Sequence, residues 1–140
     1  MQNPSSSNPA ADLGKFILRA ALAILILFHG IAKILHGIDP IIGMIARTGL
    51  PPAIAYLVYI GEVAAPALVL AGIWTRPAAL VIAINMAVAV LLAHTSQLFT
   101  LTSTGGWALE LQGMYFISAL TVALLGAGRI SIGGAAGKWN

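Results

Sequence analysis

The chain has 140 residues, 59% of them hydrophobic and only 8% charged, with a mean hydropathy of +0.95. A soluble domain carries about 25% charged residues, so most of this chain does not face water and almost no soluble domain remains. Seven Lys/Arg against four Asp/Glu give a formal charge of +3. The basic residues are scattered and not interleaved with aromatics, which argues against a nucleic-acid surface and for charges that set topology beside helices. There is no cysteine, which excludes disulfides, thiolate catalysis and Cys-ligated metal in this chain.

The polar stretch Met1–Asp12, rich in Ser, Asn and Pro, reads as a disordered cytoplasmic tail. A first transmembrane helix is expected over 13–35. No small-x-small cleavage site follows its apolar run, so it reads as retained rather than as a signal peptide. Between 38 and 52, Asp39-Pro40, Gly49 and Pro51-Pro52 break the pattern, with room at Ile41–Arg47 for a short interfacial helix. A second span is expected over 53–74, interrupted by Pro66, then a tight turn at Thr75-Arg76-Pro77 and a third span over 78–93. The polar segment His94–Gly106 leads to a fourth span over 107–125, which Gly126-Ala127-Gly128-Arg129 stops. The Gly-rich stretch 130–140 reads as a short cytoplasmic tail.

These segments are apolar all round, so length and breakers carry the assignment more than periodicity does. The expectation is an all-α integral membrane protein, a four-helix bundle over 13–129. Lys15, Arg19, Arg76, Arg129 and Lys138 fall on one side and only Lys33 and Arg47 on the other, which places both termini in the cytoplasm. Small residues four apart (Gly61/Ala65, Ala83/Ala87, Ala119/Ala123) suit close helix approach in lipid.

An ionisable side chain near the bilayer centre costs roughly 2.5–3.5 kcal/mol on insertion scales and calls for a partner or a purpose. At ~1.5 Å rise per residue, His29, Lys33, Glu62, His94 and Glu110 all fall in the non-cytoplasmic half, one or two from each helix. His29, Lys33 and His36 share a helix face, and Lys33 either ends its helix at the interface or turns inward toward Glu62 or Glu110. Pro66 has no N–H for the carbonyl of Glu62, so a kink is expected beside a buried carboxylate, with Tyr59 one turn away as its hydrogen-bond partner. Arg19 reads as snorkelling to phosphate, and Asn85 as a helix-to-helix hydrogen bond.

Two His and two Glu invite a metal, but no His-x-x-x-His or Glu-x-x-His pair presets two ligands, so no metal site is assigned. Haem ligation by His29 and His94 fares no better, with Lys33 one turn from one and the other exposed. A quinone head group in an apolar slot open to lipid is better served, by His29, Tyr59 or Glu62.

Several strings together resemble the DoxX family of small four-helix bacterial membrane proteins. They are Leu27-Phe28-His29-Gly30-x-x-Lys33, Gly49-Leu50-Pro51-Pro52, Gly61-Glu62, Gly72-Ile73-Trp74-Thr75-Arg76, Asn85-Met86-x-x-Ala89, Glu110, and Gly126-x-Gly128-Arg129-x-Ser131. The resemblance implies the bacterial inner membrane and association with a membrane-bound oxidoreductase and its partner proteins, with quinone as the cofactor to consider. It carries His29, Lys33, Glu62, Arg76, Glu110 and Arg129 as matching positions. No redox centre is legible, so catalysis is not assigned to this chain alone, and homo-oligomerisation is left open. The alternative is a non-enzymatic anchor or small-solute-handling protein whose charges only hold the bundle together.

Overall fold

The computed structural model of the chain describes residues 8–134, 136–137 and 139–140. Residues 1–7 of the expected N-terminal tail, and Lys138 among the topology charges, lie outside them. The described residues form helices α1 (Pro9–His36), α2 (Asp39–Arg47), α3 (Pro52–Ala71), α4 (Thr75–Ala93) and α5 (Glu110–Leu125), with one isolated β-bridge and no strand. α1, α3 and α4, with 28, 20 and 19 residues, are long and apolar enough to cross a membrane, whereas α5 is equally apolar but has 16 residues.

α1 begins four residues before the expected start. Asn8 caps it, its side-chain oxygen accepting from the N–H groups of Ala10 and Ala11 at 3.1 and 3.4 Å, and Pro9 fills the first turn. Asn8-Pro9 is a start signal that the polar composition around it conceals. Gly37, at φ 85°, ends the helix. α5 begins three residues later than expected because Trp107 is engaged elsewhere. It pairs with Leu101 in the β-bridge, its indole N–H donates to the Leu98 carbonyl at 2.9 Å, and Ala108 N–H is taken by Thr100. The expected short helix is present as α2 and packs on the start of α3 through Ile38, Ile45 and Ala55.

α1, α3, α4 and α5 share one core of small and branched residues, with Ala23, Ala79, Ile82, Ala119 and Val69 fully enclosed. Most of the small residues picked out by four-residue spacing, including Ala65, Ala83, Ala119 and Ala123, are in it. The outer flanks are the reverse of a soluble surface: Phe28, Leu35, Ile84, Leu91 and Leu124 are each more than 60% exposed. Contiguous exposed apolar surface of this extent needs a covering phase, and lipid supplies it.

The end of the molecule near the termini is tied together by the end of α3. Lipid offers no hydrogen bonds, so the last carbonyls of a helix must find donors within the protein. Leu68 O takes the N–H groups of Gly72 and Ile73, and Val69 O and Leu70 O take the Arg19 guanidinium at 2.7 and 2.6 Å. Ala71 O and Gly72 O take the N–H groups of Ile132 and Gly133. Arg19 also donates to Ile130 O and is 2% exposed, so it does not snorkel to phosphate; the carbonyls of a neighbouring helix replace the headgroup. Gly72 sits at φ 71°, and a Cβ there would overlap the Ser131 side chain and approach Arg19 Cζ at 3.2 Å. Arg76 closes the junction, its backbone N–H bonding to Trp139 O and its Nε–H to Asn140 O. Arg129, by contrast, is exposed and uses its backbone N–H toward the Asp12 carboxylate.

Replacing Arg19 with Met leaves buried carbonyls without donors and is expected to cost about 3 kcal/mol. A lysine carries its three N–H groups on one nitrogen and cannot cover the positions that Arg19 reaches with Nη1 and Nη2, so Arg19→Lys should recover only part of this. Thermal unfolding in detergent measures both, and a Tm unchanged by Arg19→Met refutes the assignment.

Candidate functional site

At the other end of the molecule a carboxylate and an ammonium from different helices meet. Glu62 stands on α3 where the helix widens. Pro66 removes one N–H from the ladder, and the segment Ile60–Ala64 takes a π turn, with Ala65 N–H reaching back five residues to Ile60 O. The expected kink is therefore a π-bulge. It shifts Glu62 relative to the residues around it and turns its carboxylate into the bundle, where the residue is 6% exposed.

Lys33, three residues from the end of α1, bends inward and forms an ion pair with Glu62, the sole salt bridge among the described residues. Its side chain is 25% exposed against 8% for that of Glu62, so the ammonium still touches the outside of the bundle while the carboxylate does not. Asn85 on α4 approaches the other carboxylate oxygen, its Nδ2 lying 3.4 Å from Glu62 Oε1. The inter-helix bond expected of Asn85 is thus made to the ion pair itself.

Two glycines make the approach feasible. A Cβ on Gly30 of α1 would collide with the backbone carbonyl of Glu62, the carbonyl to which Pro66 can give no N–H, and would lie 2.7 Å from a Val63 methyl carbon. A Cβ on Gly61 would lie 2.5 to 2.6 Å from three atoms of the Asn85 side chain. Glycine at 30 brings α1 onto α3, and glycine at 61 brings α4 onto it. Each sits beside one member of the site, which the motif strings contained but a reading of charges alone passes over.

The other expected residues divide. Tyr59 does not bond Glu62; its hydroxyl donates to the Lys33 carbonyl at 3.3 Å. Immediately before the bulge, it faces the last turn of α1 and joins the Gly37 N–H on that carbonyl. His29 lies on the wall of a cavity with Tyr115 of α5, the rings edge-to-face at 6.1 Å. His94, just past α4, lines the same cavity, with Nδ1 3.1 Å from Gln97 Oε1. Glu110 opens α5 in an exposed position beside Gly106 and lines neither of the cavities described here.

Those cavities lie on either side of the ion pair. One, of about 500 Å³, runs between α2, α3 and α4, with Lys33, Glu62 and Asn85 at its polar end and aliphatic side chains elsewhere. The other, of about 240 Å³, is bounded by α1, α4 and α5 and carries His29, His94, Gln112 and Tyr115 as well as the pair. Gln112 and Tyr115 are site residues the sequence reading missed; neither is charged, and only the rotation of α5 in the bundle brings them inward. No group of three or more His, Asp or Glu able to hold a metal occurs among the described residues.

An all-helical chain with membrane-length apolar helices and one ion pair whose carboxylate is buried at a π-bulge is a small polytopic membrane protein. The DoxX family model matches residues 14–95, from the second turn of α1 to just past α4, and the chain belongs to the DoxX family. Neither the curated proteins nor the solved structures provide a match.

Gly61→Ala forces the Asn85 side chain off Glu62 and should lower stability by about 1–3 kcal/mol. In the double variant Gly61→Ala/Asn85→Ala the overlaps with the Asn85 amide are gone and only that with its Cβ remains, so the two losses should fall short of their sum. A thermal-unfolding cycle checks this, and strict additivity would show that the two side chains do not meet.

Proposed function

We propose that this protein crosses the bacterial inner membrane four times, both termini cytoplasmic, and serves a membrane-associated oxidoreductase by binding a quinone or a small redox substrate at the Lys33–Glu62 pair. One observation carries the reading: a carboxylate is held inside a membrane-length helix by a π-bulge, next to a cavity on each of two sides. A pair that merely closed a bundle would be served better by tight packing, since burying an ion pair is seldom a net stabilisation. Retained ionisable groups within a membrane point to a site.

The donor set fits a quinone carbonyl. A lysine ammonium has three N–H groups, the structure gives that of Lys33 one acceptor in Glu62, and the amide of Asn85 stands beside it. Quinone would supply the redox chemistry. This chain's own residues would anchor the carbonyl oxygen through Lys33, hold Lys33 in place through Glu62, and exchange protons with water through His29 or His94. α5 supplies the fourth crossing when extended by Ala108 and Leu109, of which Leu109 is fully buried. The alternative, a non-enzymatic anchor or solute-handling protein, takes the pair as purely structural.

Glu62→Gln separates the two readings. Binding of a fully substituted short-chain benzoquinone to the purified protein should weaken roughly tenfold or more, while helical content and monodispersity persist. Loss of the fold with Glu62→Gln, or wild-type protein that fails to bind the quinone at all, favours the structural reading instead.

A further inference from the structure

The two cavities share Lys33 and Glu62, and their remaining walls differ in kind. The 500 Å³ cavity is aliphatic away from its polar end, and of its lining Leu57, Ile60 and Ile84 are 57%, 50% and 63% exposed on the flank of the bundle. It is therefore open sideways, toward the lipid-facing surface. The 240 Å³ cavity has two imidazoles, an amide and a phenol around it. A cavity holds water when it is roomy and offers the water two to four polar partners; the smaller one meets that condition, and the larger meets it only at the ion pair.

We infer that the larger cavity is a ligand chamber entered from the lipid, and that the smaller is a hydrated passage reaching the same ion pair from the water side. The ligand is a neutral, lipid-soluble molecule whose apolar body lies between α2, α3 and α4 and whose single oxygen acceptor meets Lys33 and Asn85. Charge complementarity selects it. An anionic head would face Glu62 and a cationic head Lys33 in a setting with little water to screen either. A neutral acceptor uses the N–H groups of Lys33 that Glu62 leaves over. The volume lies within the range of about 300–1,000 Å³ typical of small-molecule sites. α2 covers one side, with Ile41, Met44 and Ile45 on the wall, between glycines at φ 85° and 79° (Gly37 and Gly49). The assignment rests on the reading of the ion pair as a binding site but does not require that the ligand be redox-active.

The absence of cysteine makes a direct test available on the full chain. Val58→Cys places one thiol on the larger chamber and Gln112→Cys one on the smaller, each compared in lipid nanodiscs, where both faces meet water. A charged methanethiosulfonate should modify Gln112→Cys readily and Val58→Cys slower by roughly 100-fold, the partition penalty of a charge in an apolar space. An apolar maleimide should modify both. A long-chain methyl ketone, neutral and redox-inert, should protect Val58→Cys and leave Gln112→Cys unaffected. Equal access of the charged reagent to both positions overturns the division into chambers, and absence of ketone protection overturns the ligand class. Leu92→Cys and His94→Cys supply the same comparison if either first variant misfolds. Ketone protection without quinone binding would retire the redox reading and leave the chamber standing.

Discussion

Hydrocarbon offers no hydrogen bonds and little screening, so each polar group this chain carries into the membrane must be answered by another part of the chain. That constraint acts at both ends of the molecule with opposite results. Around Arg19 it is met mostly through backbone groups: the guanidinium, the C-terminal segment and the turn at Gly72 together supply the carbonyls of Leu68 to Gly72 with donors, and the buried Arg19 Nε–H is left without an acceptor among the described residues. Around Glu62 it is met by side chains, with Lys33 and Asn85 contributed from two other helices.

The difference separates scaffold from site. The Arg19 junction is closed, with Arg19 and Gly72 buried and the glycine fitted against Ser131 and Arg19. The Glu62 end is held just as specifically, by Gly30 and Gly61, yet the protein leaves a cavity on both flanks of the ion pair. Space next to a paired charge forgoes packing contacts that would otherwise stabilise the bundle. The π turn adds to that: it exchanges regular helix for a bulge that aims a carboxylate inward, and such bulges recur where a helix carries function. Membership of the DoxX family fixes the kind of protein, and the proposed role is drawn from the site rather than from the family name.

Much was legible in the sequence because its causes are local. Apolar run length gives three membrane-length helices, proline at 66 gives an irregular helix, and Asp39-Pro40 with the following apolar residues gives α2. The concentration of His29, Lys33 and Glu62 at one end follows from counting rise along antiparallel helices, and a Lys33–Glu62 pair was one of the outcomes that count allowed. What local rules could not reach were the competitions. Trp107 has an apolar ring suited to a helix start and is taken by a β-bridge instead. Tyr59 is within reach of a carboxylate and serves a carbonyl. Arg19 has headgroup phosphate as an option and finds three carbonyls.

By itself, then, the sequence determined that this chain lives in a bilayer, where its helices run, and which few charges it takes in with it, because burial cost is a property of each residue and its neighbours in the chain. Only the tertiary structure decided which charges meet and what surrounds them. Helix rotation sets that choice, and rotation depends on where backbones approach closely, at Gly30 against the carbonyl of Glu62 and at Gly61 against Asn85. A segment apolar on every face carries no periodicity from which such a rotation can be read.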